Sequence, residues 1–124
     1  MNHLEVFTAE IERHSLTWCR GENCHITSSH KRGFVMNDDL KTVHYDSQIG
    51  TRSTLHGGLH EIAHCIHNQK GMRRFESERQ AEEWASKRMR ELGIAVPRKS
   101  VQLGKRYVKR WKQFGDKIRN SRLT

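Results

Sequence analysis

The run Leu55-His56-Gly57-Gly58-Leu59-His60-Glu61-Ile62-Ala63-His64-Cys65-Ile66-His67 holds the residues of this 124-residue chain best placed to do chemistry. On a helix, side chains four residues apart lie one above the other, so His60 and His64 present two imidazoles to one ion. Neutral imidazole suits zinc, and a zinc with three protein ligands keeps a fourth position for water. Glu61 stands beside the first imidazole, where its carboxylate can take a proton from zinc-bound water and later return it to a leaving amine. The chemistry this pattern predicts is hydrolysis with one zinc per chain. Leu59, Ile62, Ala63 and Ile66 surround the motif with apolar side chains, which predicts a helix packed into the body.

A catalytic zinc needs a third protein ligand. The longer metzincin pattern wants Gly at position 67 and His at position 70, where this chain has His67 and Lys70. The alternative is a glutamate from the next helix. Glu78 shares a helical face with Ala81, Glu82, Ala85, Met89 and Leu92, so an apolar stripe begins with a carboxylate. A carboxylate on a buried face needs a partner, and a metal is a good one. Glu82, one turn later, is placed to orient one of the histidines. Glu76 and Glu83 fall off this face. His56 and His67 flank the motif by one turn on either side and are auxiliary candidates, His67 to polarise a substrate carbonyl. His44, Tyr45 and Tyr107 are candidate oxyanion donors. Cys19, Cys24 and His25 hint at a second zinc site, but the spacing offers no convincing fourth ligand. Cys65 faces away from His60 and reads as core.

The segment Glu78-Arg79-Gln80-Ala81-Glu82-Glu83-Trp84-Ala85 resembles the E-x-x-A-x-x-[FW]-A segment that follows H-E-x-x-H in ImmA/IrrE-type metallopeptidases. The order of a helix, a short sheet and two metal-bearing helices is also similar, over about residues 3–92. The resemblance implies an α+β fold, a minimal zincin-like domain of the gluzincin type. It implies His60, His64 and Glu78 as zinc ligands and Glu61 as general acid/base. It also implies an extended peptide substrate lying along the sheet edge beside the active helix, for which Thr42, Val43, His44 and Tyr45 are the candidate strand. Members act on repressors or other DNA-linked regulators in bacteria and mobile elements. The chain departs from the pattern in its short linker, with 13 residues between His64 and Glu78, in the extra His67, and in a basic tail where a partner domain would stand. SprT-like proteases that work at DNA use a histidine as third ligand, and no suitably placed histidine is found here.

The elements that must carry these residues follow from periodicity. Leu4, Phe7 and Ile11 predict a first helix over roughly residues 3–14, with acids on its exposed side. Segment 16–48 has turn signals at Gly21, Gly33 and Asn37-Asp38-Asp39. Between them, His25-Ile26-Thr27, Gly33-Phe34-Val35-Met36 and Thr42-Val43-His44-Tyr45 predict two or three short antiparallel strands. Ser53 or Thr54 is the expected cap of a second helix running to about Asn68, and Gly71 breaks it. A third helix runs from about Phe75 to Leu92, stopped by Gly93.

Charge divides the chain near Pro97. Residues 1–97 carry 13 basic and 13 acidic side chains, while residues 98–124 carry ten basic and one acidic, the whole net charge of +9. We read a metallopeptidase-like domain over 1–97 and a basic amphipathic extension over 98–124. Val101, Leu103, Tyr107, Val108, Trp111, Phe114 and Ile118 recur at steps of three and four, and the simplest use of that stripe is docking on the body. Lys105, Arg106, Lys109, Arg110 and Lys112 fill other faces and are candidate nucleic-acid contacts. A different class of function stays open on these residues, a basic nucleic-acid-binding or regulatory protein with a structural zinc or an inactive scaffold. Mean hydropathy is −0.90 and no stretch approaches the ~20 apolar residues of a membrane span, which excludes a membrane partner. Three cysteines without repeated spacing argue against a disulfide framework and for a cytoplasmic, reducing compartment.

Overall fold

The structure is a computed structural model that describes residues 1–20 and 42–123. Its elements run α1 (His3–Arg13), β1 (Thr17–Cys19), β2 (Thr42–His44), α2 (Arg52–Ile66), α3 (Arg74–Glu91) and α4 (Arg98–Leu123). The class is α+β, as expected. The strand segments His25–Thr27 and Gly33–Met36, with Cys24 and His25, lie outside the described residues.

Each helix begins and ends for a local reason. Asn2 caps α1 by accepting from the Glu5 amide at 2.8 Å. The α2 cap is Thr51, ahead of both expected candidates, Ser53 and Thr54. Its hydroxyl accepts from the Thr54 amide at 3.1 Å, and the Thr54 hydroxyl accepts in turn from the Thr51 amide at 2.9 Å. Thr54 is therefore the third helical residue of a reciprocal box. Helix α3 stops at Gly93, whose φ of 75° suits glycine. There the Ile94 amide reaches back to the Met89 carbonyl at 2.8 Å, closing the helix end.

Strands β1 and β2 pair in parallel, with Thr17 opposite Thr42, Trp18 opposite Val43 and Cys19 opposite His44. This corrects the antiparallel expectation. A tight hairpin would force antiparallel pairing, but residues 20–41 between these strands are long enough for the crossover that parallel pairing needs. Strand β1 was not singled out by its sequence. Strand β2 runs antiparallel to α2: the Tyr45 hydroxyl donates to the Thr54 carbonyl at 3.0 Å near its start, and the Cys65 thiol to the Thr42 carbonyl at 3.4 Å near its end.

The core joins Val6, Phe7 and Ile11 of α1 to Val43, Ile49, Leu55, Leu59 and Ile62, and to Ala85 and Met89 of α3. The register of α1 differs from expectation, since Leu4 is exposed and Glu10 is buried. Arg88 explains the burial, donating to one Glu10 oxygen from Nε at 2.9 Å and from Nη2 at 2.6 Å. Leu92, placed on the α3 inner face by periodicity, is exposed at the helix end.

The tail forms α4 and packs on α3, but only part of its stripe is covered. Gly104 is buried, and Val101, Val108 and Trp111 are partly buried. Leu103, Tyr107, Phe114 and Ile118 remain exposed. The stripe is wider than the contact a single partner helix makes. Among the described residues no helix is long and apolar enough to cross a membrane. Cys19 is disulfide-bonded. Cys65 is packed against the core, with its thiol donating to the Thr42 carbonyl.

Candidate metal centre

Helix α2 points Leu55, Leu59 and Ile62 into the core. The same 3.6-residue period lifts His56, His60 and His64 along one side, toward α3. Helix α3 answers with Glu78 and Glu82, one turn apart. Among the described residues, His60, His64 and Glu78 form the one group able to hold a metal ion, with donor atoms all within 4.8 Å of one another. His60 Nε2 lies 2.9 Å from Glu78 Oε2 and 3.0 Å from His64 Nε2, and His64 Nε2 lies 3.4 Å from Glu78 Oε1. A tetrahedral zinc with bonds of roughly 2.0–2.1 Å holds its donors about 3.3–3.4 Å apart. These separations, which involve both Glu78 oxygens, are close to the donor spacing such an ion needs, and two imidazoles with one carboxylate are a fitting donor set.

The ring nitrogens that face away from the triangle are set from outside it. His64 Nδ1 lies 2.8 Å from Gln69 Oε1. The Gln69 amide is oriented by its own nitrogen, which donates to the Ser77 carbonyl at 3.1 Å and to Gln80 Oε1 at 3.0 Å. An amide oxygen only accepts, so His64 Nδ1 carries a proton, which leaves Nε2 as the ring atom that can face a metal. Glu82 Oε1 stands 2.7 Å from His60 Nδ1, off the line of an ideal N–H bond, so Nδ1 is charge-paired without an aligned hydrogen bond. His56 Nε2 reaches Ser86 Oγ at 3.1 Å and lies 3.8 Å from Glu82 Oε2. His56 thus borders the centre without joining the donor group.

The electrostatics follow from burial and pairing. Burial alone would raise the Glu78 carboxyl, but hydrogen bonds from His60 and His64 outweigh it and hold the group at about 2. Burial disfavours a charged His60, yet Glu78 and Glu82 push it up to about 10. His64 is raised against its burial by Glu78 and Gln69, whereas burial lowers His56. Arg74 adds a cation, with Nε 3.1 Å from Glu78 Oε1 and its guanidinium 4.8 Å over the Trp111 ring. Glu61 is partly buried, and its charge raises the proton affinity of His60, Tyr45 and Arg74.

The remaining sequence candidates divide. His67 ends α2 outside the donor group, with its Nδ1 donating to the Ala63 carbonyl at 2.9 Å and its ring edge-on to Trp84. Of the edge-strand residues, Val43 is core, while Thr42, His44 and Tyr45 are partly buried beside α2. Lys105, Arg106, Lys109, Arg110 and Lys112 are exposed on α4. Gln69 and Ser86 were missed. Arg74 had a signal, standing four residues before Glu78, the spacing of a helical ion pair. Gln69 had none, because it lies in the turn between helices.

No protein-family model, no curated protein and no solved structure matches this chain.

Proposed function

We propose that this chain is a zinc-dependent metallopeptidase of the gluzincin type, similar to ImmA/IrrE-type enzymes, acting on peptide bonds of a protein substrate associated with nucleic acid. The observation that carries the reading is the convergence of His60, His64 and Glu78 on one point, with Glu61 next to the first of them. A zinc held there would supply a Lewis acid and an acidified water at its open fourth position. His60 and His64 present Nε2, backed by Glu82 and Gln69. Glu61 accepts the proton released by the attacking water and delivers it to the leaving amine. Thr42–Tyr45 runs beside α2 and supports an extended peptide lying along the helix. The exposed cations of α4 support a polyanion near the substrate.

Those same cations favour a second reading, a nucleic-acid-binding protein with a structural zinc. Structural sites are almost always four-coordinate from protein, and the donor group here supplies three ligands.

Metal content of the purified chain tests the proposal, measured beside His64→Ala and Glu78→Ala. Close to one zinc per chain, lost in both variants, is expected. Peptide hydrolysis that disappears in Glu61→Gln while zinc stays bound completes the expected result. Absence of zinc from the wild type, with no thermal stabilisation on adding it, would sink the peptidase reading. Retained zinc without turnover on any protein or peptide, joined to salt-dependent binding of nucleic acid, would favour the second reading.

A further inference from the structure

We infer that the basic C-terminal helix is a working part of the metal centre, with Gly104 as a positioning residue that seats the Glu82 carboxylate against His60. The inference rests on the metal-site reading above and adds to it a wall from outside the two ligand-bearing helices.

Glycine inside a helix costs about 1 kcal/mol relative to alanine, so Gly104, buried within α4, needs a reason. Gly115 on the same helix faces open space, and a side chain there would meet nothing within 4 Å. A Cβ at Gly104 would meet Glu82 and nothing else among its nearest neighbours. It would collide with Oε2, lie 2.5 Å from Cδ and lie 3.1 Å from Cγ. The bare backbone of α4 is therefore one wall of the slot that holds this carboxylate. The opposite side of the slot is His60 Nδ1, 2.7 Å from Oε1, with His56 Nε2 3.8 Å from Oε2. Any side chain at position 104 must push Glu82 away or lift α4.

The second acid of α3 is backed from the same helix. Trp111 lies under the Arg74 guanidinium, and Arg74 reaches Glu78. Both carboxylates that contact the imidazoles are thus confined by α4, through a missing side chain at one and a stacked cation at the other. Partners that orient metal-ligating histidines typically contribute about 10- to 100-fold in metal affinity.

The test is zinc affinity of the full-length protein, measured by competition with a chromophoric chelator. Wild type, Gly104→Ala, Gly104→Val, Glu82→Ala and the double variant Gly104→Val/Glu82→Ala are compared, with circular dichroism to verify helix content. Gly104→Val is expected to weaken zinc binding by about 10- to 100-fold, as is Glu82→Ala. The double variant is expected to bind no more weakly than Glu82→Ala alone, because the added side chain then has no carboxylate to displace. A Gly104→Val protein that binds zinc like wild type overturns the inference. So does a double variant whose losses multiply, which would make position 104 a matter of helix packing. Should Gly104→Val lose helix content, Gly104→Ala decides: unchanged affinity rejects the inference, and a loss supports it when Gly104→Ala/Glu82→Ala, made for this comparison, binds no more weakly than Glu82→Ala. A wild type that binds no zinc rejects the metal-site reading itself, and this inference with it.

Discussion

His60 lies between two carboxylates, and that placement makes the metal-free centre proton-sensitive in a definite direction. Its folded pKa of about 10 stands above the ordinary 6.5, so its stabilising contribution is complete below about 6.5 and is lost as pH rises through about 10. Glu78, held at about 2 against an ordinary 4.5, contributes above 4.5 and loses that contribution as pH falls toward 2. A metal must displace the proton from His60, because a protonated imidazole has no lone pair to give. Zinc affinity is therefore expected to rise with pH until His60 loses its proton near 10, with proton release on binding below that. Calorimetric titration in buffers of different ionisation enthalpy measures both; a flat affinity with no released proton would contradict the pairing described here. The donor residues were legible because four-residue spacing and an apolar stripe are periodic signals. The groups that orient them were legible only in part. Glu82 lies on the α3 face and was anticipated, whereas Gln69 and Gly104 act from a turn and from another helix, where no periodicity points.

At the scale of the element, α2 carries His60 and His64 and also packs against α1. Gly58 faces the buried Phe7 ring: an added Cβ would lie 2.6 Å from Cε1 and 2.8 Å from Cδ1, and 3.2 Å from Ile49 Cδ1. Phe7 is fully buried and edge-on to Trp18, with centroids 4.8 Å apart, so it has little room to retreat. Gly58→Ala is expected to destabilise the fold by about 1–3 kcal/mol despite alanine's better helix propensity. Denaturant unfolding measures it, and a stabilised variant would mean that α1 yields to α2. The helices were legible to within a few residues because each has a strong period and a chemical stop, such as Gly93. The strands were less so. Three-residue strands carry almost no alternation, and parallel pairing depends on the path between them rather than on their own residues. The α2 cap was misplaced because three candidate hydroxyl residues stand at 51, 53 and 54, and only the reciprocal bonds of Thr51 and Thr54 distinguish them.

At the scale of the molecule, one ion pair ties the beginning of the chain to the helix that bears Glu78. Glu10 and Arg88 are 78 residues apart in sequence, and both side chains are largely buried. Removing one partner strands the other, so Arg88→Ala is expected to cost about 3 kcal/mol. Urea denaturation measures it, and a loss within error of zero would show that water reaches Glu10 as soon as Arg88 leaves. Nothing in the sequence marked this pair, since Glu10 reads as one acid among several on α1. The charge division near Pro97 was legible from composition, but how much of the tail stripe α3 would cover was not. The metal donors have the opposite topology to that long-range pair. His60 and Glu78 are only 18 residues apart and belong to a single helical hairpin. Closing so short a loop costs little chain entropy, so the centre can assemble before the ends of the protein have met. Zinc present during refolding is therefore expected to speed the reaction as well as to shift its endpoint, which stopped-flow refolding with and without the ion measures.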